Sequence, residues 1–183
     1  MRSQALAVVA AVSLLFLATS LSAENPTMNT SSVFTLKSPA FQDQGEIPAT
    51  FTCDAEDVSP PLEWCDVPQG SKSLVLIVDD PDAPMGTWVH WVVFNIPPEA
   101  GALSQGVSHL PAGALEGIND FRRIGYGGPC PPGGVHRYYF KLYALDTLLT
   151  LRSGAAKAEL LKAMQGHVLA EATLMAKYRR SGK

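Results

Sequence analysis

The sequence predicts a mainly β sandwich closed by a small helical cap. Three observations lead there. Short apolar runs recur between Pro- and Gly-containing stretches, two of them are nearly continuous and rich in β-branched residues, and helical periodicity enters only near the C-terminus.

The first 23 residues stand apart from the fold. Arg2 gives a positive start, Ala5 to Leu17 is apolar except for Ser13, and small polar residues follow to Ala23, which together read as a secretory signal. A membrane-spanning helix needs about 20 apolar residues. This run is shorter and no other comes near that length, so the expected mature chain, from Glu24, has no membrane span. Residues 24–32 are polar and aperiodic and read as a flexible leader, which leaves 33–183 as a single domain.

Within that domain the predicted strands are Val33 to Leu36, Leu62 to Cys65, Ser73 to Val78, Trp88 to Ile96 and Tyr138 to Leu145. Leu74 to Val78 and Val89 to Phe94 suit central strands buried on both faces. The stretch from Gly101 to Gly134 has many glycines and prolines and little periodicity, so it reads as long, function-bearing loops. Ser153 is placed to cap a helix with Leu160, Leu161 and Met164 on one face, and Gly166 to end it. A second helix is then expected to carry Val168, Leu169, Ala172 and Met175, with His167 at its start.

Composition narrows the function. With 46% hydrophobic and 17% charged residues the chain can bury a core, and a formal charge of −3 without a basic run beyond Arg179-Arg180 excludes a nucleic-acid partner. Cys53, Cys65 and Cys130 form no C-x-x-C and no Cys/His cluster, which argues against structural zinc. In an oxidising compartment one disulfide is expected, its pairing left open by the spacing.

The usual catalytic motifs are absent: there is no G-x-S-x-G, H-E-x-x-H, Walker or Rossmann pattern. What stands out is chemistry at three strand ends: Asp79-Asp80-Pro81-Asp82-Ala83-Pro84, Trp88-Val89-His90, and Gly127-Gly128-Pro129-Cys130-Pro131-Pro132 running on to His136-Arg137-Tyr138. If the strands are neighbours, Asp80, Asp82, His90, His136 and Tyr138 converge on one rim pocket. Imidazoles beside carboxylates are easier to protonate and then donate N–H bonds to a phosphate, while an aspartate left over would pair with an ammonium and favour a zwitterionic head group. Taken alone, Asp-Pro-Asp reads as a tight turn. Trp64 and Trp91 are expected in the core, Trp88 at a core or pocket wall, His109 exposed, and Asn119 or Asp120 bracing the loop that carries Gly128.

These motifs together resemble the phosphatidylethanolamine-binding protein family. Phe51-Thr52-Cys53-Asp54, Ser59-Pro60-Pro61-Leu62 with Trp64, and Gly128-Pro129-Cys130-Pro131-Pro132 look like its bacterial branch, the YbhB/YbcL Raf kinase inhibitor-like proteins. The resemblance implies two antiparallel sheets and a rim pocket for phosphate-type anions, without catalysis, metal or cofactor. It places the pocket on Asp80, Asp82, Ala83, Pro84, Trp88, His90, Gly128, Pro129, His136 and Tyr138, and it favours a Cys53–Cys130 disulfide. Asp57, where Asn is commoner, and Cys65 depart from the pattern, and the tail Arg179 to Lys183 reads as a solvated end. The expected function is a secreted or periplasmic binder of a phospholipid head group or phosphometabolite. Two other readings are weighed beside it: an inhibitor of a protease or kinase acting through protein contact, and a metal-dependent hydrolase using His90, His136 and Asp80 or Asp82.

Overall fold

A computed structural model describes residues 32–180, so the expected signal segment and nearly all of the leader lie outside the described residues. The elements, in chain order, are β1 (Thr35–Lys37), β2 (Leu62–Cys65), β3 (Ser73–Asp80), β4 (Trp88–Ile96), β5 (Ala102–Leu103), β6 (Leu115–Glu116), β7 (His136–Leu145), α1 (Lys157–Ala163) and β8 (Val168–Tyr178). All five predicted strands form, two of them with the predicted bounds. The Gly101 to Gly134 stretch is mostly loop, broken only by the two-residue strands β5 and β6.

One sheet has the order β1-β2-β5 and the other β6-β4-β3-β7-β8, with antiparallel neighbours throughout. Strand β3 lies at the centre of the larger sheet, and every one of its residues is buried. Its alternate side chains serve two cores. Leu74, Leu76 and Val78 face a core shared with Leu36, Leu62 and Trp64 of the small sheet, whereas Val75 and Ile77 join Val92, Phe94, Leu160 and Met164 beneath α1. A continuous apolar run on β3 is what this double burial requires.

The C-terminus corrects the sequence reading: there is one helix, and Val168–Tyr178 is a strand. Its Ala, Glu, Met and Lys content favours helix, yet Ala172, Leu174 and Ala176 alternate inward with period two, and the full length of β7 offers hydrogen bonds from His136↔Tyr178 to Leu145↔Val168. Sheet pairing overrides local propensity. The outer edge of β8 is covered near its end, where Ile47 N–H donates to Lys177 O at 2.8 Å and Lys177 N–H to Gly45 O at 2.8 Å.

Helix α1 also differs in detail. Ala156 precedes it, and the backbone N–H there donates to Glu159 Oε2 at 2.8 Å. Ser153 does not cap; its hydroxyl donates to Glu116 O at 3.1 Å. Leu160 and Met164, four apart, are buried, but Leu161 is turned about 100° away and exposed. His167 lies before β8 and meets Asp146 Oδ1 through Nδ1 at 2.7 Å instead of opening a helix. The tail is not wholly solvated either, because the Arg180 guanidinium pairs with Asp54 at 2.8 Å.

Candidate functional site

The strand order β4-β3-β7 brings the three motif-bearing ends side by side, as the convergence of the polar residues requires. Asp80 ends β3, Trp88 and His90 open β4, and His136 and Tyr138 open β7. Asp79 and Asp80 point to opposite faces. Asp79 is held under α1 by Lys141 and Lys157, whereas Asp80 faces the space between the sheets.

A bulge in β4 sets the position of His90. Val78 pairs with Trp91, but the next pair is Asp79 with Val89, so His90 is an extra residue without an opposite partner. Strict alternation from Trp91 would send the imidazole to the α1 side. The bulge turns it back to the face of Asp80 and Tyr138, where the His90 and Tyr138 rings lie 5.2 Å apart edge to face.

Each ring nitrogen that meets protein has a defined role. His90 Nδ1 lies 2.6 Å from Gly127 O, and because a carbonyl only accepts, Nδ1 carries the proton and Nε2 is left to the pocket. Burial holds the His90 pKa below the ordinary histidine range, against the smaller opposing pull of the Gly127 carbonyl and the Asp80 charge. This reverses the expectation that His90 is an easily protonated donor. His136 Nδ1 meets Asp80 Oδ2 at 2.7 Å, and Asp80 Oδ1 accepts from Asp82 N–H at 2.8 Å, the turn that Asp-Pro-Asp suggested. The Tyr138 hydroxyl, on a residue 1% exposed, has no hydrogen-bond partner among the described residues. Burial, and then the Asp80 charge, push its pKa far up, so it stays protonated.

These groups line a cavity of about 210 Å3 whose walls are Ala83, Pro84, Met85, Trp88, Phe121, Cys130, Pro131 and Pro132, with Asp80, His90, His136 and Tyr138 as its polar members. Phe121 stacks edge-on against both Trp88 and His90 at 5.4 Å. Of the expected set, Asp80, Ala83, Pro84, Trp88, His90, His136 and Tyr138 meet in the cavity. Asp82, Gly128 and Pro129 do not line it. Asp82 instead accepts from the Arg137 backbone and guanidinium at 2.7–2.9 Å, on the opposite face of β7 from Tyr138. Asp80 faces the cavity with one hydrogen bond on each oxygen, whereas Asp82 is held outside it.

Gly128 and Pro129 act behind the wall. Gly128 N–H donates to Asp57 Oδ1 at 2.7 Å, Cys53 N–H donates to Pro129 O at 3.1 Å, and a Cys53–Cys130 disulfide fastens the same loop. Asp57 has φ 56°, a left-handed conformation that Asn and Asp tolerate best, and Arg123 stands 3.5 Å from its carboxylate. Asn119 braces the loop through Gly125 O at 2.9 Å, while Asp120 accepts from Val89 N–H at 2.7 Å. Trp64 and Trp91 are core residues, His109 is exposed, and Cys65 is an exposed thiol 3.0 Å from Thr35 Oγ1.

Sequence reasoning missed Met85, Phe121, Cys130, Pro131 and Pro132 as lining residues. Cys130 and the two prolines stood within a quoted motif, but Phe121 comes from a loop with no periodicity to place it. The two-histidine, one-carboxylate metal set is not gathered as a coordination site. Among the described residues no three His, Cys, Asp or Glu side chains are grouped to hold an ion.

Comparison with known proteins agrees with this architecture. Residues 37–179 match the family model for phosphatidylethanolamine-binding protein. A UPF0098 protein of Methanothermobacter thermautotrophicus is 57% identical over 148 residues, 79% of this chain and 98% of the relative; one of Pyrococcus abyssi is 50% identical over 149 residues, 78% and 84%. The crystal structure of a putative phosphatidylethanolamine-binding protein homolog from Chlamydia trachomatis superposes with a TM-score of 0.77 at 44% identity, over 81% of this chain and 98% of that one. Escherichia coli YbcL, described as a member of the mammalian family, gives a TM-score of 0.76 at 33% identity, over 81% and 99%. The chain therefore belongs to the phosphatidylethanolamine-binding protein family.

Proposed function

We propose that the protein binds a small phosphate-type anion, a phospholipid head group or a phosphometabolite, in the cavity between Asp80, His90, His136 and Tyr138, and releases it unchanged. The observation that carries this reading is the Tyr138 hydroxyl, which is buried, protonated and unpartnered in the wall of a cavity. Native proteins rarely leave such a donor unmatched, and a ligand oxygen supplies the missing acceptor. The cavity is smaller than the roughly 300–1,000 Å3 that holds a drug-sized ligand, which suits a head group and not a whole lipid. The name of the family points to the same chemistry.

The signal-like residues 1–23 and the Cys53–Cys130 pair favour a secreted or periplasmic location. Calorimetric titration with phosphorylethanolamine at pH 6 tests the binding. Saturable heat in the wild type and its loss in His90→Ala are expected; no heat in the wild type would remove the reading.

A further inference from the structure

The charge inventory of the cavity is unusual for a site meant to hold a fully ionised anion. No Lys or Arg lines it. Two guanidiniums of the neighbouring segments are committed elsewhere, Arg123 to Asp57 and Arg137 to Asp82. The Asp80–His136 pair is neutral when the imidazole is protonated and carries one negative charge when it is not, so with His90 uncharged the polar floor is never positive.

The hydrogen-bond inventory points the same way. Gly127 O takes the Nδ1 proton of His90, so neutral His90 offers the cavity a lone pair at Nε2, which accepts and cannot donate. Beside it the Tyr138 hydroxyl has no acceptor at hydrogen-bond distance, with the Asp80 carboxylate as the nearby group that competes for its proton. A ligand oxygen without a proton satisfies Tyr138 but repels the His90 lone pair. An oxyacid that still carries one proton satisfies both, with its O–H donating to His90 Nε2 and an unprotonated oxygen accepting from Tyr138.

Resting on the anion-binding reading and narrowing it from the diester of an intact phospholipid to a free phosphomonoester, we propose that this cavity selects protonated oxyacids, phosphomonoester monoanions above all, over phosphodiesters and sulfate. A phosphodiester of the phospholipid type has the charge but no P–O–H, and sulfate has neither the proton nor the single charge. The groups facing His90 are Asp80 at the end of β3, Asp120 in the loop behind β4, and His136 and Tyr138 of β7. Methyl phosphate and dimethyl phosphate meet the same groups, and only the former carries a proton for the His90 Nε2 lone pair, so the ratio of their affinities reports that proton.

The test titrates the wild-type protein with methyl phosphate, dimethyl phosphate and sulfate between pH 5 and 7.5. A phosphomonoester has its second pKa near about 6, so its monoanion fraction falls roughly 30-fold over that range. The expected result is methyl phosphate binding at least tenfold tighter than the other two at pH 5, with the advantage over dimethyl phosphate shrinking by roughly that factor by pH 7.5. Dimethyl phosphate or sulfate binding as tightly as methyl phosphate at pH 5 would overturn the selectivity and leave anion binding standing. An advantage that grows with pH would do the same. Failure of all three to bind at any pH would overturn the selectivity and the anion-binding reading together.

Discussion

His90 and Gly127 hold each other in both directions: Gly127 N–H donates to His90 O at 3.0 Å, and His90 Nδ1–H donates to Gly127 O at 2.6 Å. The exchange ties the pocket-wall loop to the bulged start of β4 and fixes the tautomer of the buried ring. Burial of the same ring makes the fold sensitive to acid.

The His90 pKa is depressed by burial, so the unfolded chain binds a proton at this site before the folded protein does. Stability from this group is therefore full above the unfolded value near 6.5 and is lost as pH falls towards the folded value. Denaturant unfolding at pH 7, 6 and 5 is expected to show a decline of up to about 1.4 kcal/mol per pH unit from His90. In His90→Gln that part of the slope disappears; an unchanged slope would show that the ring does not resist protonation.

Gly128 has no room for a side chain. A Cβ there would stand 2.5 Å from both Asp57 Oδ1 and Phe51 O. Gly128→Ala is expected to cost about 1–3 kcal/mol, by forcing the loop from Asp57. Thermal denaturation checks the cost, and a melting temperature equal to wild type would contradict the close approach.

The Cys53–Cys130 disulfide closes a loop with a sequence separation of 77 and holds Cys130 in the pocket wall. The double substitution Cys53→Ala with Cys130→Ala is expected to lose about 2–4 kcal/mol. Weaker phosphorylethanolamine binding should accompany it, since the released segment carries Pro131 and Pro132. Thiol titration of the unfolded wild type should find one reactive cysteine, Cys65, before reduction and three after.

Hydrogen bonds from Arg137 hold the Asp82 pKa at about 2. The stabilisation is present above the unfolded value, 3.8, and is lost as pH falls through about 2. In Arg137→Ala, a carboxyl-detected NMR titration should find Asp82 back near the ordinary aspartate range. A value still near 2 would place the cause elsewhere.

Much of the site was legible because Asp80, Trp88-Val89-His90 and His136-Arg137-Tyr138 lie at the ends of strands whose apolar runs are unmistakable. What was not legible depends on long-range pairing. The bulge at Val78/Asp79 changes the face of His90 through hydrogen-bond register, which leaves no mark in local composition. Val168–Tyr178 satisfies helical and strand periodicities at once, and only the unpaired length of β7 decides between them. Asp82 has the residue type for the pocket but sits beyond the Asp80 turn, where Arg137 reaches it first.

With four histidines in the chain, imidazole NMR reads the pocket directly. A long-range 1H–15N spectrum should first show His90 as the Nδ1–H tautomer. On adding phosphorylethanolamine at pH 6, the ring nitrogens of His90 and His136 should shift, while those of exposed His109 and of His167 stay in place. Movement confined to His109 or His167, or none at all at saturating ligand, would contradict a ligand seated among Asp80, His90, His136 and Tyr138.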